Sequence, residues 1–271
     1  MIASVFHNKA TCVEVLQGVE RLRPSWWTPS CTQFLRRVEK LPPMGSTTTV
    51  PLNSSPKEKK VLIVLEGLDG VGKSLVSQTL VRKLGGDRAQ LMRTPDPAYN
   101  DIRELFRVQD EKTARAFYSA ANYLAAWDAF HPTDQRQFIV FDRWWCSTCA
   151  MALANTYNLA SLPPAGDVVY QWPQDLPKPD VGVFLYVEEH IRQARIRRRA
   201  PEDAEERRLR EQQEMRAVAM EAYRRFGLLT YVHVSTYRSA VNDILAILRK
   251  RGVQHNAVPF TNTELAETHP F

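Results

Sequence analysis

A chain of 271 residues, 44% hydrophobic and 24% charged, has enough apolar material for one sizeable α/β domain with an appendage, and this composition excludes a largely disordered protein. Four cysteines are too few for the disulfide framework of a small secreted scaffold. A formal net charge of +6 favours anionic partners, a class that still includes nucleotides, nucleic acids and phospholipid surfaces.

No apolar run approaches the roughly 18 residues of a membrane span, so a soluble protein is expected. The opening residues, MIASVFHNKATCVEVLQGVERLRPSWW, lack a basic segment followed by an apolar one, and Glu14 and Glu20 are out of place in a transit peptide. No import signal is expected there. Residues 1–44 mix apolar and charged side chains with Trp26 and Trp27, as a small helical appendage or a remnant of a larger domain would, and show no chemistry. Residues 45–60 are rich in Ser, Thr, Pro and Lys and read as a solvated linker, which puts a domain boundary near Lys60.

From residue 61 to 252 the pattern alternates, and residues 253–271 are left as a tail. VLIVLEG is a short β-branched run suited to a buried parallel strand, and KSLVSQTLVRKLGG follows with helical spacing and a closing glycine pair. AQLMRTP reads as a second strand stopped by Pro95, TARAFYSAANYLAAWDAF as a long helix, QFIVFD as a third strand and VGVFLYV as a fourth. The short strand TYVHV precedes the amphipathic helix SAVNDILAILRK. Strands alternating with helices predict an α/β fold whose parallel sheet is covered on both faces.

GLDGVGKS, Gly67 to Ser74, fits G-x-x-x-x-G-K-[ST] with an apolar strand before it and a helix after it, the context the pattern requires. Gly67, Gly70 and Gly72 let successive backbone N–H groups turn inward around phosphate oxygens, and the helix N-terminus adds partial positive charge. Lys73 would reach the outer phosphates and Ser74 would offer a hydroxyl to Mg²⁺. The alternative is a glycine-rich turn that happens to end in Lys-Ser. The absence of an N-K-x-D pattern weakens a GTPase reading. Beyond the loop, FIVFDRWWCSTCAM raises two possibilities: chemistry at Asp142 and Arg143, or a redox dithiol at Cys146 and Cys149. The dithiol is the weaker, because a strand ending in Asp-Arg and a following helix already account for the segment.

VLEGLDGVGKS, FYSAANY, FIVFDRWWCS and LPKPDVGVFLYV occur in the order and spacing of the thymidylate kinase family, which the chain resembles from residue 61 to about 250. RAFYSAANY, DRWW and VYQWPQDLPKPD look most like its branch of mitochondrial UMP-CMP kinases. The resemblance implies a P-loop kinase fold, with ATP and Mg²⁺ as donor, that phosphorylates a pyrimidine nucleoside monophosphate: dUMP, dCMP, UMP, CMP or dTMP. It implies a mitochondrial location, with the cytoplasm as alternative, a possible homodimer, no nucleic-acid partner and no membrane span. Gly67, Gly72, Lys73 and Ser74 match the family's donor phosphate site. Asp69, in the same nucleotide-binding loop, matches the acidic residue that approaches the acceptor's sugar and phosphate. Arg143 would hold the acceptor phosphate, while Asp142 would help organise Mg²⁺. Trp144 takes the aromatic slot after the Asp-Arg pair and either lines the acceptor pocket or fills the core.

The chain departs from the family in three places. The family has an aromatic residue four before a base-reading arginine, whereas Phe117 is followed at that spacing by Ala121 and Tyr118 by Asn122. Phe117, Tyr118 and Asn122 are therefore the base-site candidates, with the Asn122 amide offering both a donor and an acceptor to a uracil or cytosine edge. An arginine usual after the Pro of RTP is replaced by Pro97, with Arg93, Arg103 and Arg107 nearby. An arginine that can stand inside the loop gives way to Gly70, so it must come from the lid segment, where Arg192, Arg195, Arg197, Arg198 and Arg199 are available and Arg195 and Arg199 fit the family spacing. A solvated basic helix face is the plain alternative for these arginines. Rival functions are a deoxynucleoside kinase, which needs a general base at the acceptor hydroxyl, and a nucleotide-binding regulator without turnover.

Overall fold

The computed structural model describes residues 3–42, 60–131, 134–198 and 204–267; the linker expected over 45–60 lies, apart from Lys60, outside them. Among the described residues five strands form one sheet: β1 (Val61–Glu66), β2 (Ala89–Arg93), β3 (Phe138–Asp142), β4 (Val181–Tyr186) and β5 (Leu229–His233). All pairs are parallel and the order is β2-β3-β1-β4-β5. Every residue of β3 is buried, as are all but the first of β1 and the last of β4, which is why these strands read as continuous apolar runs. The chain leaves β1 toward β2 and β3 on one side and toward β4 and β5 on the other. A crevice therefore opens at the carboxyl end of β1, the usual ligand position in such sheets.

The helices, in chain order, are α1 (Lys9–Leu22), α2 (Pro29–Glu39), α3 (Lys73–Leu84), α4 (Asn100–Arg107), α5 (Glu111–Ala129), α6 (Trp145–Thr156), α7 (Glu189–Arg198), α8 (Ala204–Glu211), α9 (Gln213–Arg225), α10 (Tyr237–Lys250) and α11 (Asn262–Ala266). α3 packs on β2, β3 and α10, while α5 packs on α6 and α6 on α9. Local signals place the ends. Asn8 caps α1, Pro29 opens α2 after the Thr28 cap, and Thr236 with Ser239 forms a capping box on α10.

α1 and α2 pack against α5 and share its core. Phe34 meets Phe117 and Tyr99 at ring distances of 5.0 and 5.1 Å, and Phe117 stacks on Phe106 at 4.6 Å. Trp26 and Trp27 close on Phe106 edge-on. Asp175 accepts from the Lys9 backbone N–H and from the Tyr123 hydroxyl, both at 2.7 Å, and Trp145 Nε1 donates to the Phe6 carbonyl at 3.2 Å. Beyond residue 252 the chain returns along α10, where Asn242 exchanges hydrogen bonds with the backbone of Phe260. No helix of the described residues is long and apolar enough to cross a membrane.

Candidate active site

β1 runs straight into the glycine loop. Gly67, Gly70 and Gly72 take positive φ values of 141°, 85° and 98°. A Cβ on Gly67 would fall 2.4 Å from the Leu185 carbonyl oxygen, and one on Gly70 would fall 2.8 Å from the Arg192 carbonyl oxygen. The end of β4 and the backbone of α7 thus press too closely for side chains, so an arginine at position 70 has no room in this packing.

Lys73 opens α3 and is buried; its Nζ donates to the Leu68 carbonyl at 2.8 Å and lies 3.6 Å from Asp69 Oδ1. Burial, helped by the Arg143 charge, lowers its pKa to about 8 against the pull of Asp69, Asp142 and Glu66. Ser74 Oγ donates to Asp142 Oδ2 at 2.9 Å. That hydroxyl and carboxylate form an all-oxygen pair of the kind Mg²⁺ uses when phosphate oxygens complete its shell. Among the described residues no group of three or more His, Cys, Asp or Glu could hold a metal by itself. The residues fit a phosphate-bound Mg²⁺, which Ser74 and Asp142 would hold.

Asp142 ends β3 opposite Leu65 of β1, so strand pairing sets it beside the loop. Arg143 then turns with φ 74°, a left-handed conformation that costs a non-glycine residue roughly 1–2 kcal/mol. Its surroundings hold it there. Its N–H donates to the Leu65 carbonyl at 3.0 Å, Nη1 donates to the Gly67 carbonyl at 3.1 Å, and Nη2 donates to Asp69 Oδ1. Burial opposes the Arg143 charge, but Asp69, Asp142 and Glu66 outweigh it and raise its pKa.

Arg143 and Asp69 line a cleft together with Arg103, Arg115, Tyr118, Trp144 and Thr148. Arg115 is only 5% exposed; it pairs with Glu111 at 2.7 Å and lies 5.1 Å from the Tyr118 ring. Trp144 is fully buried with its ring 4.0 Å from Phe141, and it borders the cleft from the core side. Asn122 is fully buried behind the wall: Nδ2 donates to Thr148 Oγ1 at 3.2 Å, and its Oδ1 has no hydrogen-bond partner. Phe117 must be corrected. It is fully buried in the aromatic cluster with Phe34 and Phe106 and does not line the cleft, because neighbouring helical residues point about 100° apart and Tyr118 takes the cleft side. Glu66, the last residue of β1, is fully buried and accepts bonds from the start of α6.

The basic lid segment divides. Arg192, 2% exposed, donates to the Asp69 carbonyl at 2.9 Å and pairs with Glu189 at 2.6 Å. Arg195 donates to the Val71 carbonyl at 3.1 Å and the Val234 carbonyl at 3.4 Å, so it reaches the loop but braces its backbone. Arg197 and Arg198 are exposed, and Arg199 lies outside the described residues. Cys146 and Cys149 are buried free thiols whose pKa burial pushes well up, the opposite of a reactive pair. Sequence reasoning missed Arg115, whose place three residues before Tyr118 puts it on the same helical face. It also missed Tyr223, whose hydroxyl meets Ser147 Oγ at 2.9 Å and for which no sequence signal exists.

The thymidylate kinase family model matches residues 65–244. A human protein named UMP-CMP kinase 2, mitochondrial, is 35% identical over 151 residues, covering 55% of this chain and 33% of that protein. The chain therefore spans about a third of the length of this curated relative. The solved thymidylate kinase of Candida albicans is similar in fold, with a TM-score of 0.54 at 21% identity over 72% of this chain and 93% of that one. A deoxyadenosine kinase from M. mycoides with bound dATP matches at a TM-score of 0.45 and 19% identity, over 70% of this chain and 100% of that one, too low a likeness to bear on function. The glycine loop on β1, the Asp142–Arg143 turn beside it and the pattern running over residues 65–244 agree: the chain belongs to the thymidylate kinase family.

Proposed function

We propose that the chain transfers the γ-phosphoryl group of ATP·Mg²⁺ to a pyrimidine nucleoside monophosphate, with UMP, CMP and their deoxy forms preferred over dTMP. The observation that carries this reading is one cleft, open beside the glycine loop, lined by Arg103, Arg115 and Arg143. Three guanidinium groups suit an acceptor that brings its own phosphate.

Phosphoryl transfer asks mainly for position and charge. Lys73 and the loop backbone bind the donor phosphates, and Arg143, aimed by Asp69, binds the acceptor phosphate. An oxygen of that phosphate attacks the γ-phosphorus while the bond to the ADP oxygen breaks. A phosphate oxygen already ionised near neutral pH needs no general base. This favours a monophosphate over a nucleoside acceptor, since Asp69 is held by Arg143 and Glu66 is buried against the start of α6. Bound with its nucleotide, Mg²⁺ neutralises charge on the transferring phosphates. The Asn122–Thr148 pair puts a carboxamide, which both donates and accepts, in place of a guanidinium, which only donates, and so supports a cytosine edge as well as the edge that uracil and thymine share; the name of the relative supports UMP and CMP over dTMP. The relative's name motivates a mitochondrial location.

An ADP-release assay with ATP·Mg²⁺ against dTMP, dUMP, dCMP, UMP, CMP and the free nucleosides tests the proposal. Turnover with monophosphates and none with nucleosides is expected. Turnover with nucleosides alone, or ATP binding without any transfer, would overturn it.

A further inference from the structure

Glu66 is a fully buried carboxylate to which phosphoryl transfer assigns no task. It ends β1, next to Leu65, and its carboxylate reaches the start of α6. Oε1 accepts from the Trp144 N–H at 3.0 Å and from the Ser147 N–H at 3.3 Å, and Oε2 accepts from the Ser147 hydroxyl. α6 lacks a side-chain cap of its own, because the Trp144 indole at the capping position offers no acceptor to the first N–H groups and its Nε1 donates instead to the Pro177 carbonyl at 3.4 Å. A carboxylate from the neighbouring strand supplies it, where the helix dipole favours negative charge.

Arg143 sits between two anchored points. Its own N–H is bonded to Leu65, and the next N–H along the chain is bonded to Glu66, so consecutive residues of β1 grip consecutive residues of the turn. We infer that Glu66 is a positioning residue: by capping α6 through Trp144 and Ser147 it holds Arg143 in the left-handed turn that aims its guanidinium at Asp69 and the acceptor cleft. This rests on the proposed reading of that cleft.

Burial pushes the Glu66 carboxyl up to about 7, against the bonds from Ser147 and Trp144 and the charge of Arg143. The groups acting on it are Arg143 after β3, Lys73 on α3, Cys146 and Ser147 on α6 and Tyr223 on α9, while β4 presents the apolar Phe184 in register. Cys146 and Tyr223 are themselves pushed well up and stay neutral as the Glu66 carboxyl ionises. Its ionised form accepts all three bonds at once.

Steady-state kinetics of Glu66→Gln test the role, because glutamine keeps the size while removing the charge and one acceptor oxygen. The KM for the monophosphate should rise about tenfold, as expected for loss of a charged hydrogen bond, with ATP affinity changed less than about twofold. The increase in acceptor KM shown by the wild-type protein between about pH 8 and pH 6 should flatten in the variant; ionisation of the acceptor phosphate is common to both and cancels. Ser147→Ala removes the hydroxyl bond to Glu66 together with that hydroxyl's contacts to Tyr223 and, at 3.4 Å, to Arg143 Nη1; it should raise the acceptor KM and flatten its pH slope, and the slope, which the direct Arg143 contact does not move, carries the test if Glu66→Gln does not fold. An unchanged acceptor KM, or equal losses for ATP and acceptor with the pH slope retained, overturns the inference. Crystal structures of wild-type protein and variant read it without turnover. Arg143 should leave its left-handed conformation or its bond to Asp69, and a variant retaining both would refute the role even if no nucleotide were phosphorylated. Absence of turnover in the wild-type protein would count instead against the kinase reading.

Discussion

Lys73 and Arg143 are bound into the site by different forces, and their substitutions should differ accordingly. Lys73 is buried, donating to the Leu68 carbonyl and lying 3.6 Å from Asp69 Oδ1, whereas Arg143 donates to four acceptors: the Leu65 and Gly67 carbonyls, the Ser147 hydroxyl and Asp69 Oδ1. Lys73→Ala and Arg143→Ala should each lower kcat about a hundredfold or more, as loss of a charge-stabilising donor does. Near-normal turnover in either would contradict the roles given to them. Because the Lys73 pKa lies near 8, its charge is present below that pH and fades above it. ATP affinity measured by titration calorimetry should therefore weaken as pH rises past about 8. Glu66 affects stability with a definite sign. A carboxyl raised from 4.5 to about 7 contributes stability that is complete below its unfolded value and lost as pH rises through the folded one. Thermal melts of wild-type protein and Glu66→Gln across this range should show the wild-type protein losing ground as pH increases. At Cys146, Ser or Ala should leave turnover unchanged, since a buried thiol with a raised pKa has no reactive form.

At the scale of elements, α5 couples the acceptor cleft to the N-terminal helices. One side carries Arg115 and Tyr118 into the cleft, and Phe117 points into the cluster with Phe34 and Phe106. Phe34 is 1% exposed, so Phe34→Ala should destabilise the protein by about 3–5 kcal/mol in denaturant unfolding, the usual range for deleting a buried aromatic ring. A loss under about 1 kcal/mol would mean that α2 is only loosely attached. Arg37 gives the contrast. Its pair with Asp128 at 2.6 Å is half exposed, and Arg37→Ala should cost no more than about 1 kcal/mol in the same assay. α7 is likewise more than a basic face: Arg192 and Arg195 hold loop carbonyls.

Across the whole molecule, residues 3–42 share one apolar core with the sheet domain, joined through α5, Asp175 and Trp145. Unfolding should accordingly be a single cooperative event. Tryptophan fluorescence, which reports on Trp26 and Trp27 as well as Trp144 and Trp145, should give the same midpoint as far-ultraviolet circular dichroism. Two separated transitions would show the N-terminal helices to be an independent unit.

Local pattern determined the strands, the glycine loop and the Asp142–Arg143 pair, because an apolar run, a glycine spacing and a strand end are written in neighbouring residues. The same holds for α3, α5 and α10, whose apolar periodicity and caps are local. α4 and α9 passed unread, since α4 is short and α9 is dominated by charged and small residues. Only tertiary structure decided which of Phe117 and Tyr118 faces the cleft, that α7 occupies the space beside Gly70, and that Glu66 caps a helix beginning 79 positions along the chain at Trp145 (145 − 66). Each of these depends on contacts between segments far apart in sequence, where side-chain direction and backbone approach are set by packing and leave no spacing to read.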